Sequence, residues 1–493
     1  MRNSPQLITY ADRLAGDLRG VLQLLKGPFA GAFGGVHILP FFDPIDGADA
    51  GFDPRDHTKV DERLGTWNDI AGISREFDVM ADLIVNHVSS DSTSFQDWLE
   101  YGSTSEWNDM FLTMSSVFPH GATEADLAKI YRPRPGLPFT TMTMSDGSSR
   151  LVWTTFTPQQ IDIDVESAPG SAYLDSILDA FSSGGVNLVR LDAVGYAIKR
   201  AGTACFMLPE TYDFIEQLAL RCRSRSMEVL LEIHGYYEDQ IEIAKRVDLV
   251  YDFALPPLIL DAMFTADAGP LTEWIKIRPT NCVTVLDTHD GIGVIDVGAH
   301  PADPSKIGLL PPARIDNLVQ EIARRSSGES SLATGAAASN LDLYQVNCTY
   351  LDALGNDIET YILARLIQVL LPGVPQVYYV GLLGGHNDLS LLRQTGVGRD
   401  INRHYYTPKE ILAALETPLV EQVLNLLRWR AEHPAFAGDF ALLVSDAPDE
   451  LRLRWTNSQA QAFITATISI SARSFSIIDV ADNVETTRTS FLS

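Results

Sequence analysis

The stretch Gly185-Val186-Asn187-Leu188-Val189-Arg190-Leu191-Asp192-Ala193-Val194-Gly195-Tyr196 decides the architecture. Its near-continuous apolar run is the pattern of a strand covered on both faces, and so of a parallel sheet. The run closes on Arg190-Leu191-Asp192. Side chains two apart on a strand point to the same side, so a guanidinium and a carboxylate meet at the strand's end, beside a Gly-containing turn. A neighbouring cation lowers a carboxylate's pKa and keeps it ionised. That is the condition for a carboxylate nucleophile. A structural Arg–Asp pair at a barrel rim gives the same signature, so the rest of the chain has to decide.

Working outward, five further short apolar runs have the same character: residues 35–40, 79–87, 228–234, 282–287 and 373–379. Amphipathic helical stretches, such as 173–181 and 211–221, lie between them. Repeated βα units over this length predict an α/β protein built on a (β/α)8 TIM barrel. Polar residues gather at the strands' C-terminal ends: Asn86 and His87, Arg190 and Asp192, Glu232 and His234, His289 and Asp290. A barrel builds its chemistry at that rim, but a doubly wound sheet also binds ligands at strand ends, so this rule leaves both open.

Two regions interrupt the alternation. Residues 88–166 are rich in Ser, Thr, Pro and aromatics without a strong helical period, and predict an inserted β-rich or irregular subdomain. Residues 292–355 read as a loop-rich insertion, with the small-residue run Gly335-Ala336-Ala337-Ala338-Ser339. The barrel is then assembled from 1–87, 167–291 and 356–433. Alternation from 434 to 493, as in Leu451-Arg452-Leu453-Arg454-Trp455, predicts a small C-terminal antiparallel β domain.

Composition narrows the function. The 493 residues carry 64 acidic and 37 basic side chains, a formal charge of −27, which repels nucleic acid and anionic membranes. An anionic substrate therefore needs a local cationic pocket. No apolar segment follows the N-terminal charge and none is suited to span a bilayer, so a cytoplasmic protein is expected. Cys205, Cys222, Cys282 and Cys348 are scattered, with no CxxC and no His cluster, and read as buried reduced thiols. No dense Asp/Asn loop suggests a calcium site, and neither a metal nor a cofactor is expected.

Asp192, Glu232 and Asp290 close three separate apolar runs. A nucleophile, a general acid and a third carboxylate that grips sugar hydroxyls would serve retaining glycosyl transfer, with nucleophile and acid roughly 5–5.5 Å apart. Asp192, beside Arg190, is expected to be ionised. Glu232 follows Val229-Leu230-Leu231, and an apolar wall would raise its pKa as an acid requires.

This set resembles the α-amylase superfamily, glycoside hydrolase family 13, through Asp82-Leu83-Ile84-Val85-Asn86-His87, Val189-Arg190-Leu191-Asp192, Leu231-Glu232-Ile233-His234 and Asp287-Thr288-His289-Asp290. Longer stretches resemble its sucrose phosphorylase branch: Gln6 to Arg13, Asp46 to Asp53, Tyr131-Arg132-Pro133-Arg134-Pro135-Gly136-Leu137-Pro138-Phe139, Leu341-Asp342-Leu343-Tyr344-Gln345-Val346-Asn347 and Gly398 to Tyr405. The C-terminal part matches weakly. The resemblance implies reversible transfer of α-glucosyl from sucrose to inorganic phosphate, giving glucose 1-phosphate and fructose. It implies Asp192 as nucleophile, Glu232 as acid/base and Asp290 as transition-state stabiliser.

By the same resemblance Asp49, Phe52, His87, Arg190, His289 and Arg399 line the glucosyl pocket. Phe156, Tyr196, His234 and Leu343 are also implied to bind substrate, His234 near the acid/base, and Asp342 and Gln345 are implied to contact the fructosyl group. Arg134 and Tyr344 are expected to meet phosphate, Arg134 held in a Pro-stiffened turn and able to grip it bidentately. The loop carrying 342–345 is expected to move, and the small-residue run before it suits such movement. Homodimerisation is implied by the resemblance alone. Relatives acting on sucrose 6′-phosphate or glucosylglycerol, and a retaining α-glucosidase or transglucosidase, are the alternatives.

Overall fold

The computed structural model describes residues 2–47, 49–133, 136–300, 303, 305–334, 345–482 and 484–492. Eight strands form its centre: β1 (Gln6–Thr9), β2 (Gly35–Ile38), β3 (Asp78–Ile84), β4 (Leu188–Asp192), β5 (Glu228–Leu231), β6 (Leu249–Asp252), β7 (Cys282–Thr284) and β8 (Val374–Tyr378). Each pairs in parallel with its neighbours in chain order, and β8 returns to β1, so the sheet is closed. Closure excludes the doubly wound alternative.

The helix Ala168–Gly184 shows how the sequence sets the outer layer. Ser167 caps it by accepting from the Gly170 N–H, Pro169 suits its first turn, and Gly185 ends it at φ +87°. Leu174, Ile177, Leu178 and Phe181 recur at helical spacing and are buried. Five antiparallel strands, Asp439–Leu443, Glu450–Asn457, Ala462–Ser469, Ser474–Ala481 and Val484–Arg488, make the C-terminal sheet. Trp455 Nε1 docks it on the barrel by donating to the Leu370 carbonyl at 2.7 Å.

Several sequence expectations need correction. Strands β1 and β6 are absent from the predicted series, because their apolar residues are few and set between polar ones: Leu7 and Ile8 between Gln6 and Thr9, and Leu249, Val250 and Tyr251 between Asp248 and Asp252. Strand β7 ends at Thr284, so Asp290 stands on a loop beyond it rather than at a strand end. The supposedly loop-like 292–355 contains a helix, Pro312–Arg325, with Ile315, Leu318, Val319 and Ile322 at helical spacing. Residues 88–166 hold the hairpin Phe139–Thr143/Ser149–Trp153, but also a helix, Thr93–Tyr101, capped by Ser92. The small-residue run 335–339 lies outside the described residues.

Beneath the catalytic rim, Arg365 from the helix Ile358–Leu370 reaches the wholly buried Asp287 with Nη2 at 2.5 Å. Gln368 Nε2 donates to the Thr284 and Gln376 carbonyls, each at 2.8 Å, tying β7 to β8. Gly381 makes room for this ion pair, since a Cβ there would collide with both Asp287 and Arg365. Removing one member of such a pair strands a buried charge. Arg365→Met should therefore cost about 3–5 kcal/mol, read as a lower denaturant midpoint. An unchanged midpoint contradicts this assignment.

Candidate active site

Register places Arg190 on β4 opposite Asp82 on β3. Both are buried, and Arg190 Nη1 donates to Asp82 Oδ1. His37 on β2 lies 3.0 Å from the other Asp82 oxygen. Burial opposes charge on Asp82, but His37 and Arg190 outweigh it and hold the carboxyl well below the usual range. The guanidinium so anchored has two further partners. Nη1 reaches Asp192 Oδ1 at 3.1 Å, and Nη2 reaches Glu232 Oε1 at 2.7 Å. Since β4 and β5 are neighbours, one guanidinium holds both carboxyls at the mouth of the barrel.

The electrostatics differ from the sequence reading. Burial and the charge of Glu232 push the Asp192 carboxyl well above the ordinary range, and Arg190 offsets only part of this. Asp192 thus holds a proton more readily than a free carboxyl does. Glu232 faces a guanidinium rather than the apolar wall expected. Asp290 is different again: burial works against its charge, but Arg399, Arg190 and Arg403 outweigh it, and it is held firmly ionised. Arg399 Nη1 lies 2.8 Å from its Oδ1. Arg403 Nε donates to the His289 carbonyl at 2.9 Å and fixes the loop that carries it.

One cavity joins these groups, with Asp192, Glu232, Asp290, Asp49, Phe52, His87, His289 and Arg399 in its lining. Phe52 stacks on His289 at 4.9 Å and 5°, giving a flat apolar face. Burial pushes the His289 imidazole down to about 3, so it is neutral. His87 is also lowered by burial, and its Nε2 donates to the Phe52 carbonyl at 3.0 Å. A second wall is aromatic: Phe156, Tyr131 and Phe206 each meet Tyr196, with ring centroids 5.1, 6.2 and 4.7 Å away. The turn carrying Tyr196 follows Ala193, which holds φ +54°, and Lys199 secures it through the Tyr196 carbonyl and Asn86 Oδ1. His234 and Gln345 complete the rim, their Nε2 atoms 3.4 Å apart.

Two carboxyls on one arginine, a third held ionised, and a flat ring face beside neutral imidazoles make a sugar-sized, acid-based site. The alpha-amylase family model, described as alpha amylase, catalytic domain, matches residues 6–250. A sucrose phosphorylase of Agrobacterium vitis is 59% identical over 94% of this chain and 97% of its own length. The sucrose phosphorylase of Bifidobacterium adolescentis is 55% identical over 94% of this chain and 92% of its own. The chain belongs to the sucrose phosphorylase family. The crystal structure of a sucrose 6F-phosphate phosphorylase from Thermoanaerobacter thermosaccharolyticum superposes with a TM-score of 0.91 at 37% identity, covering 99% of this chain and 98% of that one.

Against the site read from the sequence by its likeness to this family, the structure gathers Asp49, Phe52, His87, Phe156, Asp192, Tyr196, Glu232, His234, His289, Asp290, Gln345 and Arg399 around one cavity. Arg190 lies beneath the floor, its side chain buried behind the two acids it holds. Arg134, Asp342, Leu343 and Tyr344 lie outside the described residues. Sequence reasoning gave no role to Tyr131, Gln160, Phe206 or Ile295, which also line the cavity. Phe206 sits between two non-glycine residues of positive φ, Cys205 and Met207, a conformation no local motif announces.

A carboxyl whose folded pKa is raised opposes folding once the pH exceeds its unfolded value, about 3.9. That cost is absent in acid and grows toward neutral pH. Asp192→Asn removes it, so the thermal midpoint at pH 7 should rise by about 2–4 °C, with the gain vanishing below pH 4. A lower midpoint at pH 7 contradicts the pairing.

Proposed function

We propose that this protein is a sucrose phosphorylase, transferring α-glucosyl from sucrose to inorganic phosphate, reversibly and with retention, through a glucosyl–Asp192 ester. The observation that carries the reading is the single guanidinium of Arg190 bonded to both Asp192 and Glu232 in the cavity that also holds Asp290. The full-length likeness to phosphorylases of that name supports the substrate.

In this reading sucrose binding places the proton held by Asp192 on Glu232. Glu232 gives it to the glycosidic oxygen as Asp192 attacks C1, and fructose leaves. Arg190 stays on both carboxyls and follows the charge as it moves from Asp192 to Glu232. Asp290, kept ionised by Arg399, takes the sugar's hydroxyls and the positive charge at the oxocarbenium-like transition state. Phe52 packs against the pyranose face, and Asp49, His87, His289 and Arg399 hold its rim. Phosphate then attacks C1, its proton goes to Glu232, and the Asp192 ester bond breaks to give α-glucose 1-phosphate. We assign phosphate contact to Arg134 and Tyr344, and fructosyl contact to Asp342, Leu343, Gln345, Phe156 and Tyr196.

We further infer a cytoplasmic homodimer. The four cysteines are buried and unpaired, which suits a reducing compartment, and among the described residues no helix is long and apolar enough to cross a membrane. Dimerisation rests on the family resemblance and is read by light scattering. Among the described residues no His, Cys, Asp or Glu cluster could hold a metal.

Purified protein given sucrose and phosphate should release glucose 1-phosphate. Free glucose as the main product at saturating phosphate contradicts the reading, and faster turnover of sucrose 6′-phosphate or glucosylglycerol would reassign the substrate. Glu232→Gln should lower sucrose turnover about 10²–10⁴-fold, while α-glucosyl fluoride, whose leaving group needs no proton, still glucosylates Asp192. Equal loss with both donors contradicts Glu232 as the acid.

A further inference from the structure

One buried acid beside the cavity has no part in the chemistry above. Asp296 lies in the short turn Ile295–Val297 and is fully buried. Its Oδ1 accepts from the Gly235 N–H at 3.1 Å and from Gln240 Nε2 at 2.7 Å, and its Oδ2 lies 2.8 Å from His234 Nδ1. With Oδ2 accepting, the His234 Nδ1 carries a proton, and Nε2 faces the cavity, where it accepts from Gln345 Nε2 at 3.4 Å. Phe253 stacks on the ring at 3.9 Å and 15°, so the imidazole cannot turn. The approach depends on Gly293, where a Cβ would lie 2.3 Å from Asp296 Oδ2 and 3.2 Å from His234 Nδ1.

The charges around His234 make this geometry consequential. Asp296 stands behind it, Glu232 and Asp290 share its cavity, and Arg399 reaches it through Gln345, whose Oε1 accepts from Arg399 Nη2 at 3.3 Å. Burial opposes a second proton on the ring, but Asp296, Glu232 and Asp290 outweigh it and raise the His234 pKa. Once fructose has left, Glu232 has lost its proton. An incoming phosphate then faces Glu232 and Asp290, both negative, in a chain of formal charge −27. Water meets no such repulsion.

We propose that Asp296 is a positioning residue that holds His234 with Nδ1–H on the carboxylate and Nε2 on the acceptor space, where Nε2 takes up a proton as an incoming anion displaces Gln345 Nε2, so that the Asp296–His234 pair favours phosphate over water at the glucosyl-enzyme stage. This rests on the phosphorylase reading. Glu232 gives its proton on the side of the sugar where the leaving group departs and the acceptor arrives. His234, two residues further along, faces the same space. The negative charge on Asp296 is spent on the ring, and the ring's positive charge is turned outward to the acceptor.

The test compares full-length wild type and Asp296→Asn in sucrose phosphorolysis and in sucrose hydrolysis without phosphate. The variant should lose about 10- to 100-fold in kcat/KM for phosphate, the scale of a charge-assisted hydrogen bond. Its hydrolysis rate and its kcat/KM for sucrose should fall less than about threefold, because glucosylation precedes the step affected. The decline of kcat/KM for phosphate with rising pH should move to lower pH in the variant. Phosphate's own titration is common to both enzymes and cancels in the comparison. If Asp296→Asn fails to fold, His234→Gln, which leaves the Asp296 bonds to Gly235 and Gln240 in place, should lose more in phosphorolysis than in hydrolysis. The double variant should lose no more phosphate efficiency than His234→Gln alone. Equal loss of phosphorolysis and hydrolysis in both single variants, or additive losses in the double, overturns the proposal alone. A wild-type enzyme indifferent to phosphate overturns the phosphorylase reading and this proposal with it.

Discussion

The site depends on a cation held from below. Arg190 would be costly to bury alone, and Asp82, opposite it in the strand register, makes its burial possible. Because Asp82 takes one edge of the guanidinium, the remaining donors point at the ends of β4 and β5, where Asp192 and Glu232 stand. Asp82, Asp192 and Glu232 are gathered on this one guanidinium in a space with little water. Burial and the neighbouring Glu232 make Asp192 hold a proton more readily than a free carboxyl, so the cavity can keep one protonated carboxyl among its acids. Retaining glycosyl transfer needs that state, one carboxyl protonated and one free, within a single pocket.

The rest of the fold divides the labour. One part of the cavity is made by groups fixed through buried contacts: Phe52 on His289, His87 on the Phe52 carbonyl, and Arg403 on the His289 loop. The rest of the cavity wall comes in part from elements outside the barrel strands. Phe206 hangs on a turn of positive-φ residues, and Gln345 sits in the two-residue strand Gln345–Val346, paired to Ile292–Gly293. A scaffold of this kind can keep its sugar chemistry while the acceptor changes, which matches a family that includes glucosylglycerol phosphorylases.

The barrel was legible because parallel strands buried on both faces write themselves as apolar runs, and because Arg190 and Asp192 fall two apart. What escaped had weak local signatures. Strand β6 offers only Leu249, Val250 and Tyr251 between Asp248 and Asp252. The helix Pro312–Arg325 does show one, at Ile315, Leu318, Val319 and Ile322, but small-residue runs nearby drew the region toward loop. The placing of Asp192 and Glu232 on one arginine depends on strand adjacency, and so does the direction of the Asp192 shift: Arg190 two residues away suggested an ionised carboxylate, while Glu232, forty residues on, reversed it. Asp296 had no motif at all, because its partner His234 is brought to it only by the closing of the barrel.

The most direct test is Asp82→Asn, which leaves every cavity-lining residue in place and loosens the anchor of Arg190 together with its contact to His37. Phosphorolysis and hydrolysis of sucrose should fall together, by about 10²-fold, since both pass through the carboxyl pair that Arg190 positions. Turnover within a few-fold of wild type, with the fold intact, would show that the Asp82–Arg190 pair does not organise the site.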